Sequence, residues 1–211
     1  IAMTAESYSR RDTTGSAARL ALRNSLDDQC CYTAIVRSRR VAETMSRLLG
    51  DEVYHYHHKL IMKEPLTGGA WEWHQDYGYW YQNGVLSPNL VSVSIAVDAA
   101  TKENGCLQGV KGSHHYGRLN HSLTGDQAGA DMERVKEILK RNELVHVEMG
   151  PGDALFFQSN LLHRSDQNRS EHARWSMICC YNARSNDPYK DSHHPRYTPL
   201  EKVSDDAVSY T

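Results

Sequence analysis

His74 and Asp76 stand two residues apart in the segment WEWHQDYGYW (Trp71–Trp80), and His163 lies far downstream, followed eleven residues later by Arg174. Side chains two apart on a β-strand point to the same side, so an imidazole and a carboxylate from one segment can grip one metal ion together. His163, from a distant strand, would complete one face of an octahedron and leave three positions open. That is the two-histidine, one-carboxylate donor set of non-haem Fe(II) oxygenases. A guanidinium at Arg174 suits a bidentate salt bridge to the far carboxylate of 2-oxoglutarate, a co-substrate whose other end chelates iron beside dioxygen. Ser176, two residues on and on the same strand face, would add a hydroxyl contact. Each piece alone has an ordinary reading. A surface HxD is common, a distal histidine is more often a hydrogen-bonded core residue, and an arginine at a strand start is often an edge residue. The ordered set in a β-rich context is hard to assemble by accident.

The elements that must position these residues follow from periodicity. The stretches 17–26 and 35–49 read as helices, the second with Val41, Met45, Leu48 and Leu49 on one face and Gly50 as its stop. From Val53 to Lys63 the β-formers and aromatics predict a strand, broken by Pro65 and Gly68-Gly69. VSVSIAV (Val91–Val97) is the clearest strand, with Val91, Val93, Ile95 and Val97 on one face. A turn at 102–105 precedes a short strand through Leu107. Asp131 caps a surface helix to Arg141, with Met132, Val135, Ile138 and Leu139 inward. Residues 144–149, 154–157 and 175–181 read as strands, and the chain beyond Arg184 as a loop-rich tail. Short strands with turns, preceded by helices, predict a mainly β fold with flanking helices, a jelly roll or helix-supported sandwich.

The chain has 211 residues, enough for one well-filled core and too few to argue for two domains. Its net charge of −2 gives no electrostatic case for nucleic acid or an anionic membrane. No apolar run reaches the roughly 20 residues a membrane helix needs. Five cysteines, an odd number with two adjacent pairs, suit a reduced, intracellular setting, and a cytoplasmic location is expected. The chain begins at Ile1, so the reading places the natural start upstream. Nothing in the sequence speaks to oligomeric state.

Three segments carry a resemblance to a known family: WEWHQDYGYW, LVSVSIAVDAATKENGCLQGVKGSHH (Leu90–His115) and GPGDALFFQSNLLHRSDQNRSEHARWS (Gly150–Ser176). Through them the chain resembles the phytanoyl-CoA hydroxylase-like family of Fe(II)/2-oxoglutarate-dependent dioxygenases, which also contains the ectoine hydroxylases. The resemblance implies a single domain over 1–211 with a double-stranded β-helix (cupin-like) fold. It implies His74, Asp76 and His163 as iron ligands and Arg174 on the distal carboxylate of 2-oxoglutarate. Trp80, six residues past the first ligand, matches a tryptophan that family members place near co-substrate or substrate. Lys111 departs from a proline common before Gly-Ser-His. Related halogenases replace the carboxylate ligand with a small residue, so with Asp76 present the resemblance implies hydroxylation or another oxidative outcome.

Other residues fill in the expected surroundings. Lys59 and Lys63 fall on one face of their strand with His55, His57 and Ile61, and Lys59 is the one favoured to meet a carboxylate of co-substrate or substrate. The histidines 55, 57 and 58 read as structural or substrate-facing, because further metal ligands beside a complete triad would be redundant. His114 is expected as a support or substrate contact near the site. Gln75, Tyr77, Tyr79, Tyr81 and Gln108 form a polar, aromatic set suited either to a small polar substrate or to plain sheet packing. Two other readings stay open: a cupin-like metal-binding protein without turnover, and a jelly-roll metal enzyme that uses no 2-oxoglutarate.

Overall fold

The computed structural model describes residues 7–26, 30–124 and 126–210. Its elements in chain order are β1 (Ser7–Arg11), β2 (Ala17–Arg23), α1 (Cys31–Arg37), α2 (Arg39–Leu49), β3 (Val53–Lys63), β4 (Trp71–His74), α3 (Asp76–Trp80), β5 (Leu90–Ala96), β6 (Leu107–Val110), β7 (His121–Thr124), β8 (Gln127–Ala130), α4 (Met132–Leu139), β9 (Leu144–Val147), β10 (Ala154–Gln158), β11 (His163–Ser165) and β12 (Arg174–Ala183). Among the described residues, no helix is long and apolar enough to cross a membrane.

Three antiparallel sheets form. A six-stranded sheet runs β1-β2-β3-β12-β5-β10, a four-stranded sheet runs β4-β11-β6-β9, and β7 pairs with β8. Residues from both larger sheets line one cavity, so the two enclose it face to face, the arrangement of a double-stranded β-helix. Each sheet covers its outer face with helix. Val36, Val41 and Met45 of α1 and α2 pack on Val91, Val93, Met177 and Cys179 of the large sheet. Val135 and Ile138 of α4 pack with Val110, Leu162 and Trp73 over the smaller one.

Several expectations are corrected. The segment from Ala17 is strand β2, not a helix, although Ala, Leu and Arg are good helix formers. Its alternating Ala18 and Leu20 are buried against Ile61 of β3, and ladder pairing outweighs local propensity. The helix expected over 35–49 is two helices broken at Ser38, whose extended backbone and hydroxyl, accepting from Val41 N at 3.4 Å, start the second. Leu48, expected inward, is exposed, and so are Met132 of α4 and Val97 beyond the end of β5. The left-handed Gly50 ends α2 as expected.

One irregularity shapes the site. Along β3 and β12, Cys180 pairs with His57 and Tyr181 with His55, so Tyr56 is an extra residue, a β-bulge. The bulge shifts which side chains face inward. His55 therefore leaves the face of His57 and Lys59 and instead bonds His58, Nε2 to Nδ1 at 3.1 Å.

Candidate active site

His74 and His163 stand opposite each other in the pairing of β4 with β11, and their ring centroids are 4.1 Å apart. Asp76 is not on the strand with His74. β4 ends at His74, and Asp76 opens α3, so the HxD pair is shaped by a strand-to-helix turn instead of strand alternation. The turn is pinned by His121, whose Nε2 accepts from Gln75 N at 3.0 Å. The same imidazole explains Gly78, because a Cβ there would lie about 2.0 Å from its ring.

The donor chemistry is well defined. His74 Nδ1 lies 2.7 Å from Glu72 O, and His163 Nδ1 lies 3.0 Å from Leu161 O. A carbonyl only accepts, so each Nδ1 carries the proton and each Nε2 presents its lone pair. Burial holds the pKa of both histidines below the ordinary value, helped at His74 by neighbouring His163 and opposed at His163 by Asp76. Both rings are therefore neutral near pH 7. Ser92 Oγ donates to Asp76 Oδ2 at 3.1 Å, while Asp76 Oδ1 sits 3.7 Å from His74 Nε2. One ligand atom from each of the three residues lies within 4.8 Å of the others, and all three residues are buried. Two neutral imidazole nitrogens and one carboxylate oxygen suit a divalent iron.

Behind the triad, between the sheets, lies a cavity walled by Phe157, Leu107, Ile61 and Ile178. Its far end is cationic. Arg174 and Lys63 stand directly opposite in the pairing of β12 with β3, and both are buried. β12 is an interior strand, so Arg174 is not an edge residue. Its Nε has no hydrogen-bond partner, and Nη1 reaches only Ser176 Oγ, at 3.5 Å. Burial lowers its pKa to about 10, which leaves it charged. Lys63 Nζ donates to Ser165 Oγ at 2.8 Å and to the Asp166 carbonyl, and burial followed by the charge of Arg174 pushes its pKa well down. Among the described residues neither cation has a salt-bridge partner. A confined pair of like charges without an acid is a site for an anion.

On the other side the triad opens to a second cleft, lined by His57, Trp80, Tyr79, Arg10, His193 and His194 among others. Lys59, Trp71, His74 and Asp76 border both spaces. Lys59 is thus near the metal-binding triad and pairs with Ile178, four residues along β12 from Arg174. The lysine beside Arg174 is Lys63, which strand parity alone could not separate from Lys59. Trp80 lines the cleft and not the cationic cavity, edge-on to Tyr56 at 5.3 Å and to His57 at 5.6 Å. Ser176 lines the cavity with Arg174.

Of the polar, aromatic set, only Tyr79 reaches the cleft. Gln75 braces loops through Asn160 O and Leu119 N, Tyr77 bonds Leu86 O, Gln108 bonds Asp166, and Tyr81 is exposed beneath Arg118. His114 lines neither space. Its neighbour Ser113 supports the site by accepting from Leu162 N at 2.9 Å, one residue before His163. His194 carried no signal in the sequence, since only the folded tail brings it over β3.

Comparison with known proteins bears on this geometry. The model of the phytanoyl-CoA dioxygenase family matches residues 3–176. L-proline trans-4-hydroxylase of Streptomyces griseoviridis is 31% identical over 191 residues, 82% of this chain and 71% of that protein. Ectoine dioxygenase of Sphingopyxis alaskensis is 31% identical over 161 residues, 70% of this chain but only 52% of that protein. The crystal structure of EctD from S. alaskensis with 2-oxoglutarate and 5-hydroxyectoine superposes with a TM-score of 0.77 at 25% identity, covering 88% of this chain and 67% of that one.

Proposed function

The chain belongs to the phytanoyl-CoA dioxygenase family, and from that premise we propose that it is a hydroxylase of a small polar organic molecule, using Fe(II), 2-oxoglutarate and dioxygen. The observation that carries this is the pairing, in one cavity, of a neutral His-His-Asp donor set with buried Arg174 and Lys63, neither of which has a salt-bridge partner among the described residues. His74 and His163 through Nε2, and Asp76 through Oδ1, would hold the iron. Bound there, iron supplies the activation of dioxygen, with 2-oxoglutarate oxidised to succinate and carbon dioxide and one oxygen atom passed to a substrate C–H.

The protein's own groups set the geometry. Arg174, with Lys63 beside it and Ser176 adding a hydroxyl, would fix the distal carboxylate of 2-oxoglutarate. Ser92 holds the carboxylate of Asp76 in place, and the Glu72 and Leu161 carbonyls fix the two imidazoles. Phe157, Leu107 and Ile178 keep the space around the co-substrate dry. Lys59 stands at the boundary, within reach of a carboxylate on either side, and Trp80 walls the substrate side.

The test is succinate formation by the full chain supplied with Fe(II), 2-oxoglutarate and oxygen, with and without candidate small polar metabolites. Succinate that requires all three and rises with a substrate supports the reading. Product formation that survives omission of 2-oxoglutarate would contradict it in favour of a metal enzyme with another co-substrate.

A further inference from the structure

The substrate side of the triad holds polar groups that nothing among the described residues satisfies. His57 is 2% exposed, and both of its ring nitrogens lack a hydrogen-bond partner. His194 is 8% exposed, and its Nδ1 likewise has none. Both rings line the cleft beside His74 and Asp76. Unpaired polar atoms at such depth are costly and uncommon away from functional sites.

Two features bring these rings together. The bulge at Tyr56 turns both Tyr56 and His57 to the cleft side of β3. The C-terminal tail then lays His194 flat on both, with ring centroids 4.4 Å from Tyr56 and 5.0 Å from His57. The tail is tied down on either side of this stack. Asn24 Nδ2 donates to His193 O at 2.9 Å, Arg196 pairs with Asp187 at 2.7 Å, and Tyr197 OH donates to Glu52 at 2.6 Å. The stack is therefore held from outside the cleft, and its nitrogens are left over.

One cation beside these rings has no acid of its own. Lys59 lines the same cleft and has no salt-bridge partner among the described residues, its ammonium lying 5.7 Å from the ring of Trp71. Arg10 stands at the rim. The acids are Asp76, committed to the triad, and Asp126, 3.7 Å from Arg11. Each neutral imidazole offers one N–H and one lone pair. Burial keeps both rings neutral, with the pKa of His194 lowered to about 3.

We propose that His57 and His194, together with Lys59, bind an anionic headgroup of the substrate, so that a histidine delivered by the C-terminal tail selects which small acids enter. This rests on the oxygenase reading above. The ammonium would supply the charge, and the two imidazoles would supply N–H donors at fixed positions. An isosteric neutral headgroup would leave Lys59 without its counter-charge and would be rejected.

The experiment uses the full chain with Fe(II), 2-oxoglutarate and oxygen, and acid–neutral pairs as probes. These are L-proline with L-prolinamide, L-pipecolate with its amide, methylphosphonate with its dimethyl ester, and a set of small branched and cyclic amino acids with their amides. Succinate release above the level without probe should occur with acids and not with their neutral partners. For the best acid, His194→Phe, which keeps the stack and removes the nitrogens, should raise KM at least tenfold while moving the KM for 2-oxoglutarate less than threefold. His194→Gln, which restores a donor and an acceptor, should recover most of the loss. Neutral partners turned over as well as acids, no response to either set, or an unchanged KM in His194→Phe would overturn the proposal. Absence of any 2-oxoglutarate-dependent succinate, with or without probes, would instead overturn the oxygenase reading on which it stands.

Discussion

The triad divides the interior into two spaces of different build. Behind it, the cavity between the sheets ends in Arg174 and Lys63, two buried cations set face to face by strand pairing. In front, the cleft is walled by neutral histidines and tryptophan, brought together by a bulge and by a tail from the far end of the chain. The first is built of ladder register and suited to one co-substrate. The second is assembled from irregular parts, a bulge and a stacked tail, of the kind that carries specificity on a fixed scaffold.

The comparison can be broken at its dividing line. Asp76→Ala should reduce turnover to the detection limit by removing the only carboxylate in the donor set. Iron binding and turnover at the level of the unmodified chain would sink the triad. On the cavity side, Arg174→Ala should raise the apparent requirement for 2-oxoglutarate roughly thirtyfold or more, as loss of a charge-assisted bidentate contact costs on the order of 2–4 kcal/mol. Its effect on the substrate KM and on iron affinity should be small. Lys63→Met should weaken 2-oxoglutarate about tenfold, or ~1.4 kcal/mol. The same substitution should raise the melting temperature of the ligand-free protein, because a buried charge facing another cation is replaced by an apolar chain. A melting temperature that falls, with 2-oxoglutarate affinity unchanged, would mean Lys63 only braces Ser165 and Asp166.

The buried His55–His58 pair, which lines neither space, makes the fold sensitive to acid. Burial lowers the pKa of His55 to about 3 and that of His58 to about 4, against an ordinary value of 6.5. The unfolded chain takes up these protons below pH 6.5 while the folded protein does not. Stability is therefore complete above pH 6.5 and declines as pH falls toward 4 and then 3, by about 1.4 kcal/mol per pH unit for each histidine. A melting temperature flat between pH 7 and 4.5 would contradict it. Replacing His55 and His58 together with apolar residues should flatten the decline.

Much of this was legible in the sequence, and the gaps have physical reasons. His74, Asp76, His163, Arg174 and Ser176 could be picked out because metal and carboxylate chemistry would demand those residue types in order, and all five line one cavity. The strand β5 shows clear alternation, while β3 stands out by its β-formers and aromatics. The strand at Ala17–Arg23 was hidden, since its helix-forming residues are strand only when paired with β3. Tyr56 as a bulge was equally hidden, and the parity argument therefore grouped His55 with His57. Lys59 and Lys63 share a face, so only the register opposite Arg174 tells them apart. His194 could not be found at all, because no local pattern records that a tail of prolines and polar residues will stack on a distant tyrosine.

The measurement that bears most directly on the account is an anaerobic titration of metal-free protein with Fe(II) and then 2-oxoglutarate, followed through the weak visible charge-transfer band of the iron chelate. The band should grow to saturation at one equivalent of iron, and Arg174→Ala should need far more 2-oxoglutarate to reach it. Iron that binds without the band, or a band whose 2-oxoglutarate dependence is the same in Arg174→Ala, would contradict it.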